Sequence, residues 1–149
     1  MRPNDLVDPR DQIVSEARTW IGTRWLHQGR LKGVGVDCVG LAYGVARDLS
    51  LLGPEHVLPV YERFTSDNEM VALCTRYLVR TSALRVGSVA AMRFDSTTRH
   101  MGIVGDYPGG GFSLIHAYAV SRKVVEHRLD SAWRARIVAI FDFPGASDE

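Results

Sequence analysis

The chain has 149 residues, 46% of them hydrophobic and 23% charged, with 18 basic and 17 acidic side chains. That suits one globular domain spanning 1–149, and a net charge of +1 gives no global pull toward nucleic acid or a membrane surface. No apolar run is long enough to insert across a bilayer, and the two cysteines make neither a disulfide framework nor a zinc-finger spacing.

The start of the chain, Met1 to Gln12, is polar and shows no secretory signal, so synthesis in the cytoplasm is expected. Residues 1–8 and 144–149 read as flexible ends. Asp8-Pro9 is a cap followed by proline at the first helical position, and it opens a helix to about Ile21. Ile13, Ala17, Trp20 and Ile21 form its buried stripe, and Gly22 ends it. Residues 22–36 then read as one long loop. Trp25, His27 and Gln28 lie in it, and such a loop either lines a substrate cleft or simply covers the surface, anchored by Trp25.

At Gly33-Val34-Gly35-Val36-Asp37-Cys38 a glycine-rich approach runs into a helix. Asp37 is a preferred N-cap, which puts Cys38 at the first helical position. Main-chain N–H groups and the positive end of the helix dipole then surround the sulfur, an environment expected to lower the thiol pKa. A buried structural cysteine is the alternative. Leu41, Ala42, Val45, Leu49 and Leu52 keep helical spacing, and Gly40 and Gly44 allow a close approach by another element.

Residues 53–65 look irregular. Ser66 and Glu69 form a capping box that starts a helix to about Arg80, with Cys74 on its apolar face as a core thiol. From Arg85 onward the pattern changes to strands: Gly87–Phe94, His100–Gly105, Phe112–Tyr118, Lys123–Leu129 and Arg136–Phe143. The last is apolar on both faces and is expected inside the sheet. Helices first and strands afterwards predict an α+β domain, with helices packed on an antiparallel sheet.

A cysteine nucleophile needs a base, and imidazole titrates in the right range. Of the five histidines, His100 opens one predicted strand and His116 sits in the next, with Asp106–Gly111 able to close a hairpin between them. Placed directly opposite each other they share a sheet face, and His116 can orient His100 as the third residue of a triad does. A register slip of one residue would separate them. His127 alternates with Val125 and Leu129 and reads as structural; His56 reads as a solvated loop residue.

Asp37-Cys38-Val39-Gly40-Leu41, His100-Met101-Gly102-Ile103-Val104 and Ile115-His116-Ala117 resemble, in order, the three motifs of the NlpC-type cysteine peptidases. Gly22-Thr23-Arg24-Trp25 and Leu84-Arg85-Val86-Gly87-Ser88-Val89 support the likeness, which runs from about Ile13 to Phe143. The resemblance implies a compact papain-like fold with N-terminal helices on a five- to six-stranded antiparallel sheet. It implies Cys38 as nucleophile, His100 as base and His116 as the third polar residue, with Trp25, Gln28 and Asp37 toward the substrate and no metal or cofactor. The implied activity is hydrolysis of peptidoglycan stem peptides, commonly between D-γ-glutamate and a diamino acid.

Three positions depart from the family pattern. Trp25 replaces a usual Tyr, Val39 replaces a common Ser, and Gly87-Ser88 replaces Gly-Asp. In some members that Ser, with the preceding Asp, holds the free amine of an N-terminal L-alanine. A short form with His27-Gln28-Gly29 before the Cys motif is similar to the peptidases of phage and prophage tails and gene transfer agents. That implies tail-tip proteins as partners and action in the periplasm as part of a particle. Two rivals remain open: a tail-tip binding module with a weak or inactive site, and a zinc hydrolase using Cys38, His100 and His116. A lipid acyltransferase of the related permuted fold, in which His precedes Cys, is set aside because Cys38 comes first here.

Overall fold

The structure is a computed structural model, and it describes residues 8–53, 58–59, 61, 64 and 67–146. His56, Ser66 and most of the two expected flexible ends lie outside the described residues. Helix α1 (Pro9–Arg18) opens as its sequence dictates, with the Asp8 carboxylate accepting from the Arg10 N–H. Helix α2 (Cys38–Asp48) follows, then α3 (Asp67–Tyr77), and all three contact one strand, β5 (Thr97–Asp106).

That strand lies within a six-stranded antiparallel sheet. Its other members are β3 (Val79–Thr81), β4 (Ser88–Phe94), β6 (Phe112–Tyr118), β7 (Lys123–Arg128) and β8 (Ile137–Asp142), in the order β3-β8-β4-β5-β6-β7. As its two-sided apolar pattern requires, β8 is paired on both edges. The hairpin between β5 and β6 closes through Tyr107–Gly111, where Gly109, Gly110 and Gly111 all take positive φ.

Side chains alternate between two cores. Ile103 and Ile115 face the helices, with Ile13, Trp20, Leu41 and Val45, while Val104 and Leu114 face a smaller cluster with Met92 and Leu129 on the opposite side. Helices α1 and α2 meet where Gly44 leaves room for Trp20. A Cβ at Gly44 would come within 2.4 Å of the indole ring. The fold is α+β, as expected.

Four expectations about elements need correction. Helix α1 ends at Arg18, so Ile21 leaves the buried stripe and is 45% exposed. The long loop contains a small hairpin, β1 (Arg30–Leu31) with β2 (Gly35–Val36), strands too short to show alternation. The helix expected to reach Arg80 stops at Tyr77, because Val79–Thr81 pairs with the otherwise open edge of β8. Strand β5 starts at Thr97, so His100 lies within it rather than opening it. A one-turn helix, α4 (Ser131–Arg134), capped by Asp130, was not anticipated.

Candidate active site

Cys38 stands at the first position of α2 because Asp37 caps the helix, its Oδ1 accepting from the Gly40 N–H at 2.8 Å. The same carboxylate accepts from the Gln28 N–H at 2.7 Å and from the Tyr61 hydroxyl at 2.6 and 2.7 Å. Asp37 is buried, so these neutral donors replace the water it gave up. The loop carrying Gln28 packs directly on the helix. A Cβ at Gly40 would sit 2.0 Å from the Gly29 carbonyl oxygen, so only glycine permits this approach.

The sulfur's surroundings act in the direction opposite to the one expected. Burial and the neighbouring Asp37 carboxylate push the Cys38 thiol up to about 12, although main-chain N–H groups of Met101 and Val39 pull it down. The cap that builds the helix end also sets a negative charge beside it, which offsets the helix dipole. His100 is shifted the other way, to about 4, by burial and by His127. Thiol and imidazole are therefore both neutral near pH 7.

His100 and His116 do meet, but not as direct opposites. The β5–β6 ladder ends at Ile103↔Ile115, and continued in the same register it would set Gly102, not His100, across from His116. The two histidines are diagonal neighbours on one face. The bare Gly102 leaves the gap that the diagonal contact crosses; a Cβ there would lie 3.1 Å from that of His116. His100 Nε2 and His116 Nδ1 are 2.7 Å apart, and both residues are buried. His116 reaches in turn to His127, Nε2 to Nε2 at 2.8 Å.

Where β5 and β6 diverge, a cleft of about 410 Å³ opens, and Cys38 and His100 both line it. That volume lies within the range of small-ligand sites. Trp25, His27 and Asp37 also face it, whereas Gln28 does not line it. Gln28 acts through its main chain, held at φ +61 with its N–H on Asp37. Tyr61, Phe64, Phe94, Arg99 and Tyr118 line the cleft as well and were not anticipated. Tyr61 comes from a stretch with no hydrophobic period, and Phe94 and Tyr118 are terminal residues of their strands, where alternation gives no functional signal. Arg99 is ion-paired to Asp95 at 2.8 Å.

Among the described residues no cluster of three or more His, Cys, Asp or Glu side chains is arranged to hold a metal ion. The zinc-hydrolase alternative needs Cys38, His100 and His116 to converge in that way. They do not form such a cluster.

Solved structures share the fold that carries these residues. The chain superposes on the NlpC/p60 domain of the peptidoglycan hydrolase SagA with a TM-score of 0.58 at 20% identity, over 90% of this chain and 98% of that one. The fold is that of an NlpC/P60 domain. An NlpC/P60 family protein from Bacillus cereus ATCC 10987 gives a TM-score of 0.64 at 18% identity, over 95% of this chain but 42% of its own length. An N-acetylmuramoyl-L-alanine amidase from Bacteroides uniformis ATCC 8492 gives 0.56 at 12% identity, over 89% of this chain and 96% of that one. Comparison of the sequence with protein-family models and with curated proteins returns no match. At these identities the likeness establishes the NlpC/P60 fold, and the chemistry must be argued from the residues.

Proposed function

We propose that this protein is a cysteine endopeptidase that hydrolyses peptidoglycan stem peptides at the bond between D-γ-glutamate and a diamino acid. The observation that carries the reading is the 2.7 Å contact of His100 Nε2 with His116 Nδ1, in a pair whose His100 shares one cleft with Cys38. Sequence resemblance to the NlpC-type peptidases supports it. So does the NlpC/P60 fold, since one neighbour is named a peptidoglycan hydrolase and another an N-acetylmuramoyl-L-alanine amidase.

In this reading His100 Nδ1 takes the Cys38 proton as Sγ attacks the peptide carbonyl. The N-terminus of α2 supplies main-chain N–H donors to the oxyanion that forms. Collapse breaks the C–N bond, and the proton on His100 passes to the departing amine. Water then attacks the thioester, giving one proton to His100. Sγ leaves and takes that proton back, and the acid product ionises to a free carboxylate with its proton passing to solvent. His116 holds the base ring throughout.

One departure from the family pattern bears on the substrate form. Val39 has no hydroxyl, and Asp37 is already engaged by Gly40, Gln28 and Tyr61. Among the described residues lining the cleft the one carboxylate, Asp37, is thus already hydrogen-bonded, which disfavours the free amine of an N-terminal L-alanine and favours a stem peptide still attached to its glycan. Delivery in a phage-like tail, with tail-tip proteins as partners and action in the periplasm, is the companion proposal; it rests on the sequence resemblance.

Purified sacculi incubated with the protein test the reading, with the released fragments identified by mass spectrometry. The expected products end in D-γ-glutamate on one side and begin with the diamino acid on the other, and Cys38→Ala yields none. Release at the muramoyl–L-alanine amide instead would replace the assignment with an amidase. Absence of any fragment would favour a binding module that keeps the fold.

A further inference from the structure

His127 stands at the end of a row of imidazoles, beyond the three residues of the proposed triad. Its Nδ1 lies 2.9 Å from the Arg128 carbonyl oxygen, and its Nε2 lies 2.8 Å from His116 Nε2. His116 Nδ1 continues the row to His100 Nε2 at 2.7 Å. Three rings and one main-chain carbonyl thus form an unbroken hydrogen-bonded series.

The direction of that series follows from its fixed end. A carbonyl oxygen only accepts, so His127 Nδ1 carries a hydrogen. A neutral imidazole has one N–H, which leaves His127 Nε2 as an acceptor for His116 Nε2–H. His116 Nδ1 must then accept from His100 Nε2–H. The last lone pair falls on His100 Nδ1, the nitrogen that a base for Cys38 requires. The reverse arrangement would turn the His127 Nδ1 lone pair toward the Arg128 oxygen, with no hydrogen between them.

We infer that His127, anchored by the Arg128 carbonyl, is a positioning residue that holds His100 in the tautomer with a basic Nδ1, an inference that rests on the reading of His100 as the base for Cys38. The packing keeps the row in place. Trp133 of α4 lies 4.9 Å from the His127 ring and 5.2 Å from the His116 ring, and Tyr118 stacks on His116 at 5.0 Å. His116 is fully buried, and burial holds it down to about 2, so it stays neutral and keeps a single N–H.

Nitrogen-15 NMR of the histidine rings in the full chain near pH 7 reads the tautomers without any substrate. His100 and His116 are expected as Nε2–H and His127 as Nδ1–H; His100 found as Nδ1–H overturns the inference. Two variants add a rate. His127→Phe keeps a ring against Trp133 but offers no acceptor, and it should lower the Cys38 alkylation rate and the kcat for wall hydrolysis about tenfold, near the worth of one hydrogen bond, with KM unchanged. His127→Gln presents an amide oxygen to His116 and should recover most of that loss. Equal rates for the two variants, or no loss in His127→Phe, reject the relay. Correct tautomers without wall hydrolysis reject the peptidase reading and leave the relay standing. If His127→Phe does not fold, the wild-type tautomers alone decide.

Discussion

Both thiols of this chain are pushed well above the ordinary thiol range, in different surroundings. Burial pushes Cys74, in α3, up to about 12, and Cys38 reaches the same value with Asp37 contributing. Cys74 is 3% exposed and faces apolar side chains such as Met101 and Phe143. Cys38 is half-buried and faces a cleft that also contains an imidazole with a depressed pKa. Ionisation at rest therefore does not separate a reactive thiol from an inert one. In the proposed reading access to a base does, and the helix N-terminus contributes by placing the sulfur rather than by ionising it.

The comparison breaks most completely at Cys38 itself. Cys38→Ala should abolish release of fragments from sacculi and leave the melting temperature nearly unchanged, whereas Cys74→Ala should leave kcat intact and cost about 1 kcal/mol of stability. Fragment assays alongside thermal unfolding check both halves. Removing the base comes next. His100→Ala should reduce turnover by about 10²–10⁴-fold. His116→Ala should cost less, and His116→Asn or His116→Gln should recover part of it, because an amide oxygen can accept the His100 N–H. Since the pair acts as a unit, the double variant should be little worse than His100→Ala, which steady-state kinetics will read.

Acidity sharpens the same contrast through stability. His100 and His116 are held below their ordinary 6.5, to about 4 and about 2. The unfolded chain binds those protons first, so their contribution is present above pH 6.5 and is lost as pH falls toward the folded values. The melting temperature should drop between pH 6.5 and pH 4 in the wild-type protein, and less steeply in His116→Phe. Thiolate absorbance supplies the smallest signal: ultraviolet difference spectra of wild type against Cys38→Ser should show no Cys38 thiolate near neutral pH.

The parts of the site legible in the sequence were those fixed by local chemistry. Asp37 caps α2 and Cys38 begins it, as an Asp at the end of a glycine loop requires. The Tyr107–Gly111 turn makes the hairpin that carries the histidines. What failed was register and charge. Alternation places His100 and His116 on one face but cannot distinguish direct from diagonal neighbours, a difference decided by where β5 and β6 part at Ile103 and Ile115. The raised thiol pKa came from burial, which depends on tertiary packing, and from a carboxylate the sequence had already placed one residue away. The contacts of Tyr61 with Asp37 and of His127 with His116 were missed for a common reason: the partners come from distant segments.

Alkylation of the native protein with iodoacetamide near pH 7, followed by peptide mass spectrometry, tests base access most directly. In the wild-type protein Cys38 should be modified well before Cys74, and in His100→Ala its rate should fall toward that of Cys74. Equal labelling of the two thiols in the wild type, or a Cys38 rate unmoved by the loss of His100, would contradict the account.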